Sequence, residues 1–289
     1  MNITVVEVGP RDGLQNEKGT ISTADKIAFV DKLSDANLPV IEVSAFVSPK
    51  WVPQMADAAG VFAGITKRPG TRYTALVPNV AGLERAQKAG VSEVAIFAAS
   101  TETFSRKNIN QTIDESFATY KDVCDRAIAA GMRVRGYLST AFGCPYEGEV
   151  PHDIVATLSA RLIDLGVFEV AVSDTIGIAT PGDVPRVLEA VLAKLPPEKV
   201  ALHFHDTRGQ ALANVRAALP FGISTFDASA GGLGGCPYAP GAPGNLATGA
   251  LIQMLNKLGI ETGVSLDALT AAASFVRSRL LQAAPPSAT

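Results

Sequence analysis

The chain contains three histidines, and two of them, His203 and His205, stand two residues apart at the end of the run VALHFHD. In an extended strand residues i and i+2 point to the same side, so the two imidazoles project together and form half of a metal site. A carboxylate is the natural third donor. Asp12, in EVGPRDG near the start of the chain, is the best placed, and Arg11 beside it brings a fixed positive charge. Asn245 could complete the shell through its amide oxygen, or cap a helix. Two imidazoles, a carboxylate and an amide suit a hard or borderline divalent ion such as Mg²⁺ or Mn²⁺ better than structural zinc. Around Asn245, the stretch GGLGGCPYAPGAPGNLATG (231–249) places seven glycines and three prolines about Cys236. Such a composition makes a shaped loop, and a cysteine between Gly235 and Pro237 there reads as a chemical group more than as core packing.

These residues need a frame. Short β-branched runs at 3–9, 40–46, 72–78, 93–99, 133–142, 169–175, 200–206 and 225–231 alternate with amphipathic helical patterns such as TADKIAFVDKLSDANL and HDIVATLSARLIDLGV. Eight strand-helix units without a linker-like tract predict a single closed (β/α)8 barrel over residues 1–284, ending in an extra helix around SLDALTAAASFVRSRLL, with a frayed tail at 285–289. Active groups of such barrels lie at the C-terminal ends of the strands. Glu7, Arg11, Asp12, Glu42, Asp174, His203, His205, Asp206 and Asp227 all fall at or near such ends.

Composition narrows the function. With 47% hydrophobic and 18% charged residues and a net charge of -3, the chain is a globular protein with no general pull towards nucleic acid or an anionic membrane. No run is long enough to span a bilayer, and the N-terminus has no leader-like pattern. Three scattered cysteines form no disulfide framework, so a reducing compartment, the cytoplasm, is expected.

The motifs VEVGPRDGLQNE, FVSPKWVPQM, RGYLSTAFGCPYEG, SDTIGIATPG, HFHDTRGQALAN and the Cys236 loop together resemble the 3-hydroxy-3-methylglutaryl-CoA lyase family, from about Val5 to beyond Gly263. The resemblance implies divalent-metal-dependent cleavage of a carbon-carbon bond, releasing acetyl-CoA and acetoacetate from an acyl-CoA substrate, by a homodimer. It implies metal ligation by Asp12, His203, His205 and Asn245, stabilisation of the thioester oxygen by Arg11, and protonation of the enolate by Cys236. Glu42 and Asp174 match polar positions around the substrate hydroxyl and the metal, and Asn108 matches a position available to the substrate carboxylate. Cleaving a β-hydroxy thioester needs a Lewis acid, a base and a cation near the thioester. Asp12 and His203 both fit the base, and the two stay open.

Departures from the family pattern bear on the acyl group. Ala45 and Ala171 stand where relatives often carry Ser, Ser173 stands for Gly, and Arg208 stands for Tyr after HDT. Arg208 is equally readable as a ligand for a carboxylate or as a solvated surface arginine. Lys50 is a further candidate contact for CoA. A lyase for another 3-hydroxy-3-substituted acyl-CoA, a 2-oxo-acid-dependent condensing synthase of the same barrel group, and a non-catalytic CoA- or metal-binding barrel are the rival readings. The synthase fits less well, because it carries a longer C-terminal extension and lacks the cysteine loop.

Overall fold

The computed structural model describes residues 2–17, 19–234 and 244–283. Eight parallel strands close into a barrel in chain order: β1 (Thr4–Glu7), β2 (Val40–Ala45), β3 (Arg72–Leu76), β4 (Glu93–Ala99), β5 (Arg133–Ser139), β6 (Val170–Asp174), β7 (Val200–Phe204) and β8 (Thr225–Ala228). Each predicted run contains one of them. The helices are α1 (Thr23–Asp35), α2 (Ala58–Gly64), α3 (Val80–Lys88), α4 (Glu102–Ile109), α5 (Ile113–Ala129), α6 (His152–Asp164), α7 (Asp183–Leu192), α8 (Ala211–Ala218), α9 (Thr248–Lys257) and α10 (Leu266–Ala283). The expected extra helix is α10, which lies against α1, with Arg279 paired to Asp25 at 3.0 Å. The tail expected at 285–289 lies outside the described residues.

Local chemistry explains where these elements start and stop. Ser22 caps α1 by accepting the Asp25 N–H, and Thr112 with Glu115 forms a capping box at the head of α5. After α5 and α6 the chain turns at Gly131 (φ +74) and Gly166 (φ +90), left-handed positions that a residue with a Cβ adopts only at a cost.

Period two in the strands separates two environments. Outward residues such as Ile41, Val43, Val134, Leu138, Leu202 and Phe226 join the helices in one continuous aliphatic core. Val6, Val8 and Val40 form a separate small cluster. Val6 pairs in register with Val40 on one side and Asp227 on the other, which places this cluster on the barrel's inner face. Above it the interior is polar: Glu42, Arg135, Asp227 and His203 are all buried.

Candidate metal centre and active site

The first ligand comes from a single π turn directly after β1. Residues Gly9–Gly13 are closed by the Gly13 N–H donating to the Val8 carbonyl at 3.1 Å, and the turn carries Arg11 and Asp12 over the barrel mouth. From β7 come His203 and, one step past its end, His205. Strand β8 lies between β7 and β1, as the order around the ring requires.

Asp12, His203 and His205 converge so that one donor atom of each lies within 4.8 Å of the others. Asp12 Oδ2 is 3.9 Å from His203 Nε2 and 3.8 Å from His205 Nε2. Two donors about 2.1 Å from a shared ion lie no more than about 4.2 Å apart, so these separations fit one divalent cation. Asn245 completes the group. Its Nδ2 donates to Asp12 Oδ2 at 2.9 Å and to the Leu233 carbonyl at 3.2 Å, while its Oδ1 is buried without a partner among the described residues. Helix capping does not account for Asn245, because the residue at the N-cap of α9 is Ala247. An orphaned amide oxygen beside two imidazoles and a carboxylate is the donor chemistry that a cation would satisfy.

Buried charges beneath the centre orient its ligands. His203 Nδ1 lies 3.2 Å from Asp227 Oδ2. Burial pushes the Asp227 carboxyl up, but Arg135 overrides it from 2.7 and 3.1 Å and holds the group below its ordinary range. An ionised carboxylate only accepts, so Nδ1 donates to Asp227, which leaves Nε2 as the ring nitrogen facing Asp12 and the one available to a cation. Arg135 also donates to Glu169 at 2.8 Å and to the Tyr137 hydroxyl at 2.9 Å. Arg11 is oriented in the same way. Its Nε donates to Glu42 at 2.6 Å, its Nη1 donates to Asp12 Oδ1 at 2.6 Å, and its guanidinium sits 5.4 Å from the centre of the Tyr137 ring. Burial would raise the Asp12 carboxyl, yet Arg11 and the two imidazoles hold it well below the usual carboxylate range. For Glu42 burial wins, and its carboxyl is lifted above the ordinary value against the pull of Arg11.

All of this opens onto a cavity of about 660 Å³. Arg11, Asp12, Tyr137, His203 and His205 form its floor, Leu76, Phe97 and Phe104 give it an apolar wall, and Trp51, Lys107 and Asn108 stand at its mouth. The other expected residues are distributed unevenly. Asn108 lines the cavity, and Glu42 reaches it only through Arg11. Asp174 is buried with both oxygens accepting backbone N–H groups, from Ile178 and Ala179, so in this geometry it ties down the loop after β6. Arg208 is exposed on the turn after β7, and neither it nor Lys50 lines the cavity. Ala45 and Ala171 are fully buried and do not line it either. Cys236 lies outside the described residues. Arg135 and Tyr137 were missed, although their i, i+2 spacing in RVRGYLS carries the same inward-facing signal as His203 and His205.

Comparison with known proteins agrees with this geometry. The sequence profile of the HMGL-like family matches residues 2–276. The 3-hydroxy-3-isohexenylglutaryl-CoA/hydroxy-methylglutaryl-CoA lyase of Pseudomonas aeruginosa is 54% identical over 267 residues, covering 92% of this chain and 89% of its own. The crystal structure of an HMG-CoA lyase from Brucella melitensis superposes with a TM-score of 0.95 at 49% identity, covering 96% of this chain and 98% of its own. An HMG-CoA lyase from Acinetobacter baumannii, solved with coenzyme A and 3-methylmalate, superposes with a TM-score of 0.91 at 36% identity, covering 100% of this chain and 97% of its own. Among the described residues no helix is long and apolar enough to cross a membrane. Motif, barrel and relatives converge along nearly the whole length, and the chain belongs to the HMGL-like family.

Proposed function

We propose that this protein is a divalent-metal-dependent carbon-carbon lyase that cleaves 3-hydroxy-3-methylglutaryl-CoA to acetyl-CoA and acetoacetate. The observation that carries this reading is the convergence of Asp12, His203 and His205 beside Arg11 on the floor of one cavity. Asp12, His203, His205 and Asn245 hold the ion, Mg²⁺ or Mn²⁺. Once bound, it supplies Lewis-acid polarisation of the substrate's oxygens. Arg11, locked between Glu42 and Asp12, presents a fixed cation to the thioester oxygen as negative charge collects there. Because Glu42 and Asp12 pre-orient that guanidinium, little reorganisation is needed when the bond breaks. Because His203 commits Nδ1–H to Asp227 and Nε2 to the ion, the hydroxyl proton passes to Asp12, and the enolate carbon takes a proton from Cys236. Asn108 at the cavity mouth is available to the substrate carboxylate.

The CoA held by the Acinetobacter relative supports an acyl-CoA substrate. The apolar wall of Leu76, Phe97 and Phe104, together with the double substrate name of the Pseudomonas relative, favours a second reading within the same chemistry: a substrate with a longer chain at C3. Buried free thiols at Cys124 and Cys144 support a reducing compartment such as the cytoplasm. The homodimer implied by the family resemblance is read by analytical ultracentrifugation.

The test is acetyl-CoA release from purified protein given 3-hydroxy-3-methylglutaryl-CoA, with Mg²⁺ or Mn²⁺ and again after chelation. Metal-dependent release is expected. A folded, metal-loaded protein that releases none sinks this substrate, and comparison with a longer C3 side chain then decides the second reading.

A further inference from the structure

Glu7 is a fully buried carboxylate with no part in the reaction outlined above. Its Oε1 accepts the Gly9 N–H at 2.8 Å and the Ala230 N–H at 2.7 Å, and its Oε2 accepts the Thr248 hydroxyl at 2.7 Å. The three donors belong to three separate segments. Gly9 opens the π turn that carries Asp12. Ala230 opens the turn that leads to Leu233, whose carbonyl accepts from Asn245. Thr248 begins α9, three residues after Asn245.

These segments are pressed together. A Cβ at Gly9 would stand 2.5 Å from Glu7 Oε1, and one at Gly13 would stand 2.9 Å from both Ser229 Oγ and Leu233 Cβ. We infer that Glu7 is a positioning residue that sets the separation of Asp12 and Asn245, and with it the cation affinity of the centre, through hydrogen bonds rather than charge.

The chemistry of the three donors argues for hydrogen bonding as the means. Two are fixed backbone N–H groups that need an acceptor oxygen, while the third is a hydroxyl that can donate or accept. A glutamine at position 7 satisfies the same set, with its carbonyl oxygen on the two N–H groups and its amide donating to Thr248 Oγ1. Burial also pushes the Glu7 carboxyl up to about 7, against the opposing pull of its hydrogen bonds to Thr248, Ala230 and Gly9.

The inference rests on the reading of Asp12, His203, His205 and Asn245 as ligands, and it is tested by Mn²⁺ titration of the full chain, followed by electron paramagnetic resonance, alongside thermal melting. Glu7→Ala is expected to weaken Mn²⁺ binding about tenfold or more, Glu7→Gln to restore it to within about twofold of the parent, and Thr248→Val to give an intermediate loss. Leu162→Ala, remote from the centre, is the control that lowers melting without moving Mn²⁺ affinity. Parent-like binding by folded Glu7→Ala overturns the inference, as does a Glu7→Gln variant as weak as Glu7→Ala. If Glu7→Ala does not fold, unchanged affinity in Thr248→Val overturns it. Failure of the parent protein to bind Mn²⁺ instead rejects the ligand set itself, which keeps the two failures apart.

Discussion

In β5 and β7 the two faces of the barrel wall are built from opposite materials. On the outer face, Val134 and Leu138 of β5 and Leu202 and Phe204 of β7 meet the helices in an aliphatic layer. On the inner face, the alternate residues of the same strands are Arg135, Tyr137 and His203: Arg135 donates to Tyr137, Asp227 and Glu169, and His203 bonds Asp227. Aliphatic packing is non-directional, so the outer face stabilises the fold without aiming any one atom. Each inner charge is directional, and it is partner and aiming device at once. Along these two strands fold and chemistry are therefore separable on the outside and inseparable on the inside.

That contrast can be broken by substitution. The largest effect is expected from His203→Ala, which removes both a ligand and the group that Asp227 aims: kcat should fall by about 10³-fold or more, with Mn²⁺ affinity lost in parallel. Steady-state kinetics across a metal titration checks this, and full activity restored at high Mn²⁺ would leave His203 outside the machinery.

Arg135→Met should then show the double penalty of the inner face. It strands the Asp227 and Glu169 carboxylates, at a cost of about 3–5 kcal/mol by denaturant unfolding, and it removes the bonds that hold Asp227 in place against His203, weakening Mn²⁺ binding about 10- to 100-fold. A variant that loses stability while binding Mn²⁺ normally would show that Asp227 does not act through His203. On the outer face, Leu162→Ala should cost about 2–5 kcal/mol and leave kcat of the folded fraction unchanged. A kcat that fell in step would erase the contrast between the faces.

A further effect concerns pH. Glu7 is lifted from 4.5 to about 7, so between those values the folded protein holds a proton that the unfolded chain has released. Its contribution is fully present below about pH 4.5, is lost as pH rises through 7, and then levels off, a change on the order of 3 kcal/mol. Glu7→Gln should flatten this slope in unfolding measurements made from pH 5 to 8. A slope identical to that of the parent would place the titration elsewhere.

Much of this was legible in the residues because it is local. Eight apolar runs with eight helical patterns mark the barrel, and HFH read with period two aims two imidazoles at one point. Asp12 joined them only by position in the ring, yet that sufficed, since β8 alone separates β1 from β7. The same period is present in RVRGYLS, where Arg135 and Tyr137 alternate with Val134, Gly136 and Leu138, and only barrel closure brings them to Asp227 and His203.

The sequence by itself determined the element order, the inward pairing of His203 with His205 and the donor types of the metal centre, because side-chain direction along one strand is set by the pleat. Tertiary structure alone decided which distant partner each group meets. Arg135 finds Asp227 across 92 residues and Arg11 finds Glu42 across 31. Asn245 turns its amide onto Asp12 instead of capping α9, and Asp174 accepts from the loop after β6. Arg208, four residues beyond the end of β7, is exposed to solvent. Strand pleat is a local steric rule, whereas the meeting of charges across the barrel depends on closure and on the stagger between strands, which no short stretch of sequence encodes.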